Sequence, residues 1–556
     1  MGYLNKMKIL NPVRELRYRT MRGNGSHQLP LIWESIYQRL KSLASSNGIK
    51  LLLACTVVFG VSYFYLSYYR NAFYDLTADE GYIIYGAKRV LDGQILYKDF
   101  FQYFPPGDFY LLAFVFKLFG YSFIIAREAA VIIDSMTNAL LFYLSYKAIK
   151  SWYAILSPLF FLILGFPNWM QYSHYWSSML FLFMSLVLFL AYLEHRKDLY
   201  LYFTGLLVGL TGLFLQTPAV YAIILICFNL IAEERQEQGF VKRSLLFLTG
   251  VVIPLILAFG YLAFKGAFFD FIKEQYFMSK VYAEAATFNP MALYFHHFSK
   301  YSVIFLVYTG IAILSGIALI LFRKRLSNPE KIILTGYIIL FFTSSSRMDF
   351  EHMLINSAML FIIVLFPLKW FLDAVKNKNR LLYKTFYYIW HFVSVALIVW
   401  AIYSMKKNLE NIETVGFHIE FDGTPVWTFN QKEAYEIKEF FPKAEQMLQG
   451  EKYVFVYPDG ALIYVMMNLH NPVFIDWVPT LTGMPDEGAY GFYREVQDLI
   501  LNKTKYVIYC SWPRDYINAV LSMEKKQYRV NAIDEYINSH YTQILRVNNL
   551  LLYKKR

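Results

Sequence analysis

The loop after the first apolar run carries an adjacent carboxylate pair, Asp79 and Glu80, and a second acid beside a base, Lys98 and Asp99, within TADEGYIIYGAKRVLDGQILYKDFFQYFPPGDFY. A carboxylate held beside a hydroxyl can take its proton, and a cation nearby can steady an oxyanion. The same residues also have a plainer use. Thr77 three residues before Glu80 makes a capping-box pattern, and Tyr82, Ile83, Tyr85, Gly86, Val90 and Leu91 follow at roughly helical spacing until Gly93. That spacing predicts a short amphipathic helix in the membrane interface, with the acids favoured at its N-terminus by the helix dipole. Capping does not exclude catalysis. Beyond Asp99 lie Phe100, Phe101, Tyr103 and Phe104, then Pro105, Pro106 and Gly107, which turn the chain back toward the bilayer. Aromatics at that level also suit an interfacial belt.

The elements that must position these groups are membrane spans. Of the 556 residues 57% are hydrophobic and 19% aromatic, far above a soluble average. With about twenty apolar residues per crossing, spans fall near 50–68, 123–146, 153–167, 175–193, 199–215, 217–232, 244–264, 301–322, 331–345, 353–371 and 383–404. Residues 1–49 are polar and basic, with no cleavable leader, so they read as a cytoplasmic segment and the first span as an anchor. Counting from there, Lys147 and Lys150, Arg196 and Lys197, Lys242 and Arg243, Arg323 to Arg325, and Lys376 to Arg380 all fall on one side. The net charge of +12 is therefore a set of topology signals and does not point to nucleic acid. Eleven spans put residues 405–556 outside, together with loops 69–122 and 265–300. Cys55, Cys227 and Cys510 imply no disulfide framework.

The tail differs in kind. Strand-like runs at 453–457, 472–477 and 505–512 alternate with helical patterns at 431–449 and 493–502, and TQILRV and NLLLY follow. That alternation argues a small α/β domain.

The run DEGYIIYGAKRVLDGQILYKDFFQYFPPGDFYLLAFVFKLFG, with AREAAV opening the next span, resembles the first outer loop of GT-C-type glycosyltransferases, polytopic enzymes that use polyprenyl-phosphate sugars. Protein O-mannosyltransferases and lipid A aminoarabinose transferases belong to that superfamily. The stretches MQYSHYWSSMLFLFMSLVLFLAYL, GLFLQTPAVYAIIL, SSSRMDFEHMLINSAMLFIIVLF and YVFVYPDGALIYVMMNLHNP look like its bacterial members. The sequence departs from the commonest pattern at Gly107, and at Gln102 and Tyr103, where some members carry a charge.

The resemblance implies an α-helical membrane module at 50–404 and inverting transfer to an envelope glycolipid, polysaccharide or protein at the outer face of a bacterial inner membrane. It puts the general base at Asp79, with Glu80 beside it and Asp99 in reserve. For the donor phosphate it points to Arg347 and His352, with Lys98 and Arg127 as further cations, since a guanidinium fork suits phosphate oxygens. Arg347 could equally pair with Asp349 and Glu351 in a solvated loop. Tyr82, Tyr103, His174 and Gln216 are expected to line the substrate, although a His or Gln at a span end also serves as an interfacial anchor. A divalent cation joins the site in some members; no ligand cluster is visible here, so neither metal nor other cofactor is assigned. Arg127 and Asp134 share a helix face, lining the lipid-phosphate cavity or, for Asp134, bridging two helices. Loop 265–300 suits a lid over the lipid donor or an interfacial helix touching only headgroups. The rival classes are a transporter, which should show paired broken helices and internal symmetry, and a non-catalytic envelope-polysaccharide assembly protein.

Overall fold

The computed structural model describes residues 47–556 except 74, 77, 170, 235–238, 286–299, 345–349, 377, 422–423, 477–492 and 512–531. The chain forms two compact units, Met1–Val57 and Val58–Arg556; the packing below is that of the second.

The helices follow the apolar periodicity closely: α1 (Asn47–Ser67), α2 (Asp79–Leu91), α3 (Gly107–Phe119), α4 (Phe123–Ile149), α5 (Leu156–Leu164), α6 (His174–His195), α7 (Asp198–Phe214) and α8 (Gln216–Glu234). They continue with α9 (Phe240–Phe264), α10 (Phe268–Ala285), α11 (Lys300–Leu321), α12 (Asn328–Ser344), α13 (Phe350–Ile363), α14 (Phe366–Lys376) and α15 (Arg380–Val415). A helix stands at each expected span. Among the described residues seven are long and apolar enough to cross a bilayer, while Trp152–Leu164, Asp198–Phe214 and Phe305–Leu321 are shorter apolar helices. The span expected at 353–371 is broken at 364–365, where Pro367 cannot donate to the preceding turn and opens α14 instead.

Ion pairs tie alternate helix ends together. Lys147 Nζ meets Glu194 at 2.8 Å, and Glu233 collects Arg196 at 3.6 Å, Arg323 at 3.0 Å and Lys331 at 2.5 Å. Lys242 and Arg243 reach Asp198 at 3.7 and 3.8 Å. Members of four of the five basic clusters that alternate along the sequence thus meet acids at neighbouring helix ends.

After α15 comes a hairpin of β1 (Phe417–Phe421) and β2 (Thr424–Thr428), then α16 (Gln431–Leu448), β3 (Val454–Tyr457), α17 (Ala461–Met466), α18 (Tyr493–Leu501), β4 (Tyr506–Cys510), α19 (Ala532–His540), β5 (Tyr541–Val547) and β6 (Leu550–Lys555). The main sheet has the order β3-β4-β6-β5; β3 and β4 run parallel and the other pairs antiparallel. Of the strand expected at 472–477, the described residues 472–476 form none. Pro472 has no N–H, the Phe474 N–H goes to Asp498 Oδ2 (3.1 Å), and the Ile475 carbonyl accepts from Asn471 Nδ2 (2.8 Å), so side chains take the groups a ladder would need.

Candidate active site

The helix α2 does not lie in an interface. Residues Glu80 to Ala87 and Arg89 are all buried, because glycines let neighbours approach on two faces. A Cβ at Gly81 would meet Leu462 N of α17 at 2.6 Å, and one at Gly86 would meet the Phe109 ring of α3 at 2.6 Å. The aromatics of the loop are likewise internal. Phe100 packs in the main core and Phe101 in a second core with Phe455, Tyr457 and Phe474 of the C-terminal domain, so these rings are not an interfacial belt. The C-terminal domain grips the start of the loop too: Phe73 N donates to Trp427 O (2.7 Å), and Trp427 N to Asn71 O (2.9 Å).

The capping box is expected of Thr77, which lies outside the described residues; the N-cap of α2 is Ala78, without a side-chain cap bond. Glu80 turns away from the helix end to a stronger partner. Arg127 Nη2 donates to its Oε1 at 2.7 Å, both side chains having no exposure, and Tyr172 N donates to Oε2 at 3.3 Å. Burial still holds the Glu80 carboxyl above its usual range, opposed by Arg127 and Tyr172. Arg127 also lies over the Phe123 ring at 5.0 Å. Asp134 is fully buried further along α4, and among the described residues neither of its oxygens has a hydrogen-bond partner; the helix-bridging bond expected of it is not made.

Asp79, half-buried, opens α2. Two residues the sequence did not single out stand close by. Tyr82 donates its hydroxyl hydrogen bond to Asp459, at the C-terminal end of β3. Burial pushes Asp459 up to about 8, with Asp75 and Asp79 adding to the rise. Glu433 Oε1 accepts from Leu76 N at 2.8 Å, and burial followed by Asp75 lifts Glu433 to about 8. Acids from both ends of the chain thus collect at the start of α2. The signal for Asp459 was an acid and a glycine ending a strand, where α/β sheets place functional groups.

The start of α6 continues the wall. Tyr172, bonded to Glu80, is followed by His174, whose ring lies 4.5 Å from Phe104 and 4.4 Å from Tyr175. His352 of α13, 6% exposed, meets Tyr175 Oη through Nε2 at 2.8 Å and faces the Trp169 ring at 5.6 Å. Asp108 of α3 is buried, accepts from Ser177 Oγ at 2.7 Å, and is pushed up to about 7 by burial. Gly107 beside it lets the start of α3 approach α7, since a Cβ there would meet Leu213 O at 2.6 Å.

Other expected residues are placed elsewhere. Asp99 is exposed and caps its own turn, accepting from Ile95 N at 2.7 Å near the far end of α2. Lys98 is exposed and donates to Lys265 O at 3.3 Å. Gln216 donates to Gln275 Oε1 (3.0 Å), and Gln275 to the Tyr103 carbonyl (2.6 Å), so α10 is fastened over the aromatic turn. Glu274, buried on the same helix, accepts from Gln102 N at 3.0 Å and is lifted to about 9 by burial. Arg347 lies outside the described residues.

Residues 104–264 match the family described as dolichyl-phosphate-mannose-protein mannosyltransferase, a match that begins after the acidic pair. No curated protein matches the sequence. Among solved structures the chain is similar to ArnT from Cupriavidus metallidurans bound to undecaprenyl phosphate, with 13% identity over 91% of this chain and 97% of that one and a TM-score of 0.51. It is also similar to the apo form of the Archaeoglobus fulgidus oligosaccharyltransferase, with 13% identity over 88% and 73% of the two chains and a TM-score of 0.48. The chain thus shares the overall fold of ArnT and carries, at residues 104–264, a segment that matches this mannosyltransferase family.

Proposed function

We propose that this protein is a glycosyltransferase that moves a sugar from a polyprenyl-phosphate donor to a hydroxyl of an envelope glycolipid, polysaccharide or protein, with inversion, at the extracytoplasmic face of a bacterial inner membrane. The observation that carries it is Asp79, half-buried at the head of a helix clamped by the Glu80–Arg127 pair and facing acids from the C-terminal domain. In the reaction the acceptor oxygen bonds to the anomeric carbon and the bond from that carbon to phosphate breaks. The acceptor proton passes to the Asp79 carboxylate, and polyprenyl phosphate leaves. Asp459, lifted to about 8, holds its proton near neutral pH and so removes one negative charge from beside Asp79.

His352 and Arg347 are the groups assigned to the leaving phosphate, with Arg127 as the cation behind Glu80. Tyr82, Tyr103 and His174 line the sugar, while Lys98, Asp99 and Gln216 serve the fold of the loops. Among the described residues no three His, Cys, Asp or Glu side chains converge to hold a metal ion, so no step is routed through one. Eleven spans, an inward N-terminus, a membrane module at 50–404 and an outward domain at 405–556 fit the ion pairs that join basic clusters to acids at neighbouring helix ends.

The test is reconstitution with labelled polyprenyl-phosphate sugars and envelope extract, comparing wild type with Asp79→Asn. Transfer should fall by about two to four orders of magnitude in the variant. Equal transfer by both removes the base assignment, and none by wild type across several donors removes the transferase reading.

A further inference from the structure

At the far end of α2 from Asp79 a second site opens. A cavity of about 560 Å³ lies between the first loop and the C-terminal domain, within the range that holds a small ligand. Ten residues separate Asp79 from Arg89 at its edge, about 15 Å along the helix, so it is distinct from the acidic site.

Its polar groups are fixed in place before any ligand arrives. Arg89 donates to Asp476 Oδ1 (2.5 Å), Gln94 Oε1 (2.6 Å) and the Asp99 carbonyl (3.3 Å). On the opposite wall Asp498 holds Phe474 N at 3.1 Å, and Asn502 Nδ2 holds the Pro472 carbonyl at 2.5 Å. Each anchored carboxylate, amide or guanidinium keeps further lone pairs or hydrogens for a ligand.

Two flat groups accompany them. The Tyr453 ring is 58% exposed at one end, and the Arg494 guanidinium stacks 3.5 Å over the buried Phe474 ring, which holds that polar plane at the cleft. Charge is nearly balanced: Arg89, Arg494, Lys503 and Lys505 against Asp99, Glu451 and Asp498, with Asp476 behind Arg89 and Lys505 paired to Glu451 at 3.3 Å. A phosphate or nucleotide site would carry surplus cations. Planar polar groups beside the exposed Tyr453 ring, without a strong net field, match a sugar, whose hydroxyls need donors and acceptors together and whose C–H face needs an apolar plane.

We propose that this cleft binds a neutral oligosaccharide, the distal units of a glycan acceptor. The choice of acceptor rests on the transferase reading; the binding itself does not. The experiment uses full-length protein in nanodiscs and, as probe, fluorescently end-labelled neutral oligosaccharides released by mild acid from the source cell's envelope. Wild type and Asp79→Asn are expected to bind alike, while Tyr453→Ala and Arg494→Ala, both at exposed positions, each bind about tenfold more weakly or worse. Donor hydrolysis in the absence of acceptor should be unchanged in the two cleft variants, which shows that they fold. Absence of binding by wild type, binding by both cleft variants equal to wild type, or displacement of the probe by excess inorganic phosphate would each overturn the proposal. Transfer retained by Asp79→Asn together with a cleft that binds glycan would remove the base assignment and leave this one standing. The reverse pattern would overturn this one alone.

Discussion

Arg127→Met strikes the pair that holds α2 in place. Both partners are fully buried and 2.7 Å apart, so the change leaves Glu80 in the interior with only the longer bond from Tyr172 N, at 3.3 Å. Removing one member of a buried pair costs about 3–5 kcal/mol, because the remaining charge stays desolvated. Replacing both at once is a different matter. Glu80→Leu with Arg127→Met swaps a costly ion pair for apolar contact, and the double variant should lie within about 1 kcal/mol of wild type. The single variant also acquires a pH signature. The Glu80 carboxyl is already above its usual range, and without Arg127 it rises further. An acid whose folded pKa is raised contributes stability while protonated and loses it as pH rises through the folded value, so the deficit of Arg127→Met should shrink at acidic pH. Denaturant unfolding in micelles, followed by tryptophan fluorescence at pH 5 and pH 8, reads both effects. A single variant within about 1 kcal/mol of wild type at pH 8, or a double variant as damaged as the single one, would refute the reasoning.

Two further expectations follow from buried groups near the site. Asp108 titrates near 7 in the folded chain against an ordinary 3.8, so wild type should lose stability between those values relative to Asp108→Asn; parallel melting profiles across that range would contradict it. Gly81→Val places branched carbon where a Cβ already meets Leu462 N at 2.6 Å, which should cost about 1–3 kcal/mol and speed proteolysis within 417–476. Unchanged proteolysis would mean that α17 does not depend on that contact.

The helices were legible because bilayer-length apolar runs leave few alternatives, and the run after Leu51 and the 36-residue α15 are cases in point. Periodicity could not tell whether α2 faces lipid or protein. Its apolar stripe fits both, and what decides is the pair of glycines admitting Leu462 and Phe109. The strand expected at 472–477 failed for a related reason: its apolar residues are indeed buried, yet Asn471 and Asp498 supply the hydrogen bonds that a neighbouring strand would otherwise provide. Arg127 and Glu80 were flagged as separate candidates, a cation and a catalytic acid. That they are each other's partner depends on a contact across 47 positions, which spacing does not encode.

The acidic site is completed from the other end of the chain, and this bears on how the C-terminal domain acts. Tyr82 of the first loop bonds Asp459 across 377 positions, Leu76 bonds Glu433 across 357, and Gly81 abuts Leu462. None of these residues is held by its own segment alone. A domain that only captured acceptor could be tethered by a flexible linker, but this one supplies part of the floor on which Asp79 stands. Its cleft and the acidic site share α2: Arg89, fixed by Asp476, sits toward one end, and Asp79 at the other. Because α2 is packed against α3 and α17 along its buried residues, the position of the Asp79 carboxylate is set by how the C-terminal domain seats on the loop, and a close-packed interior leaves little slack between them.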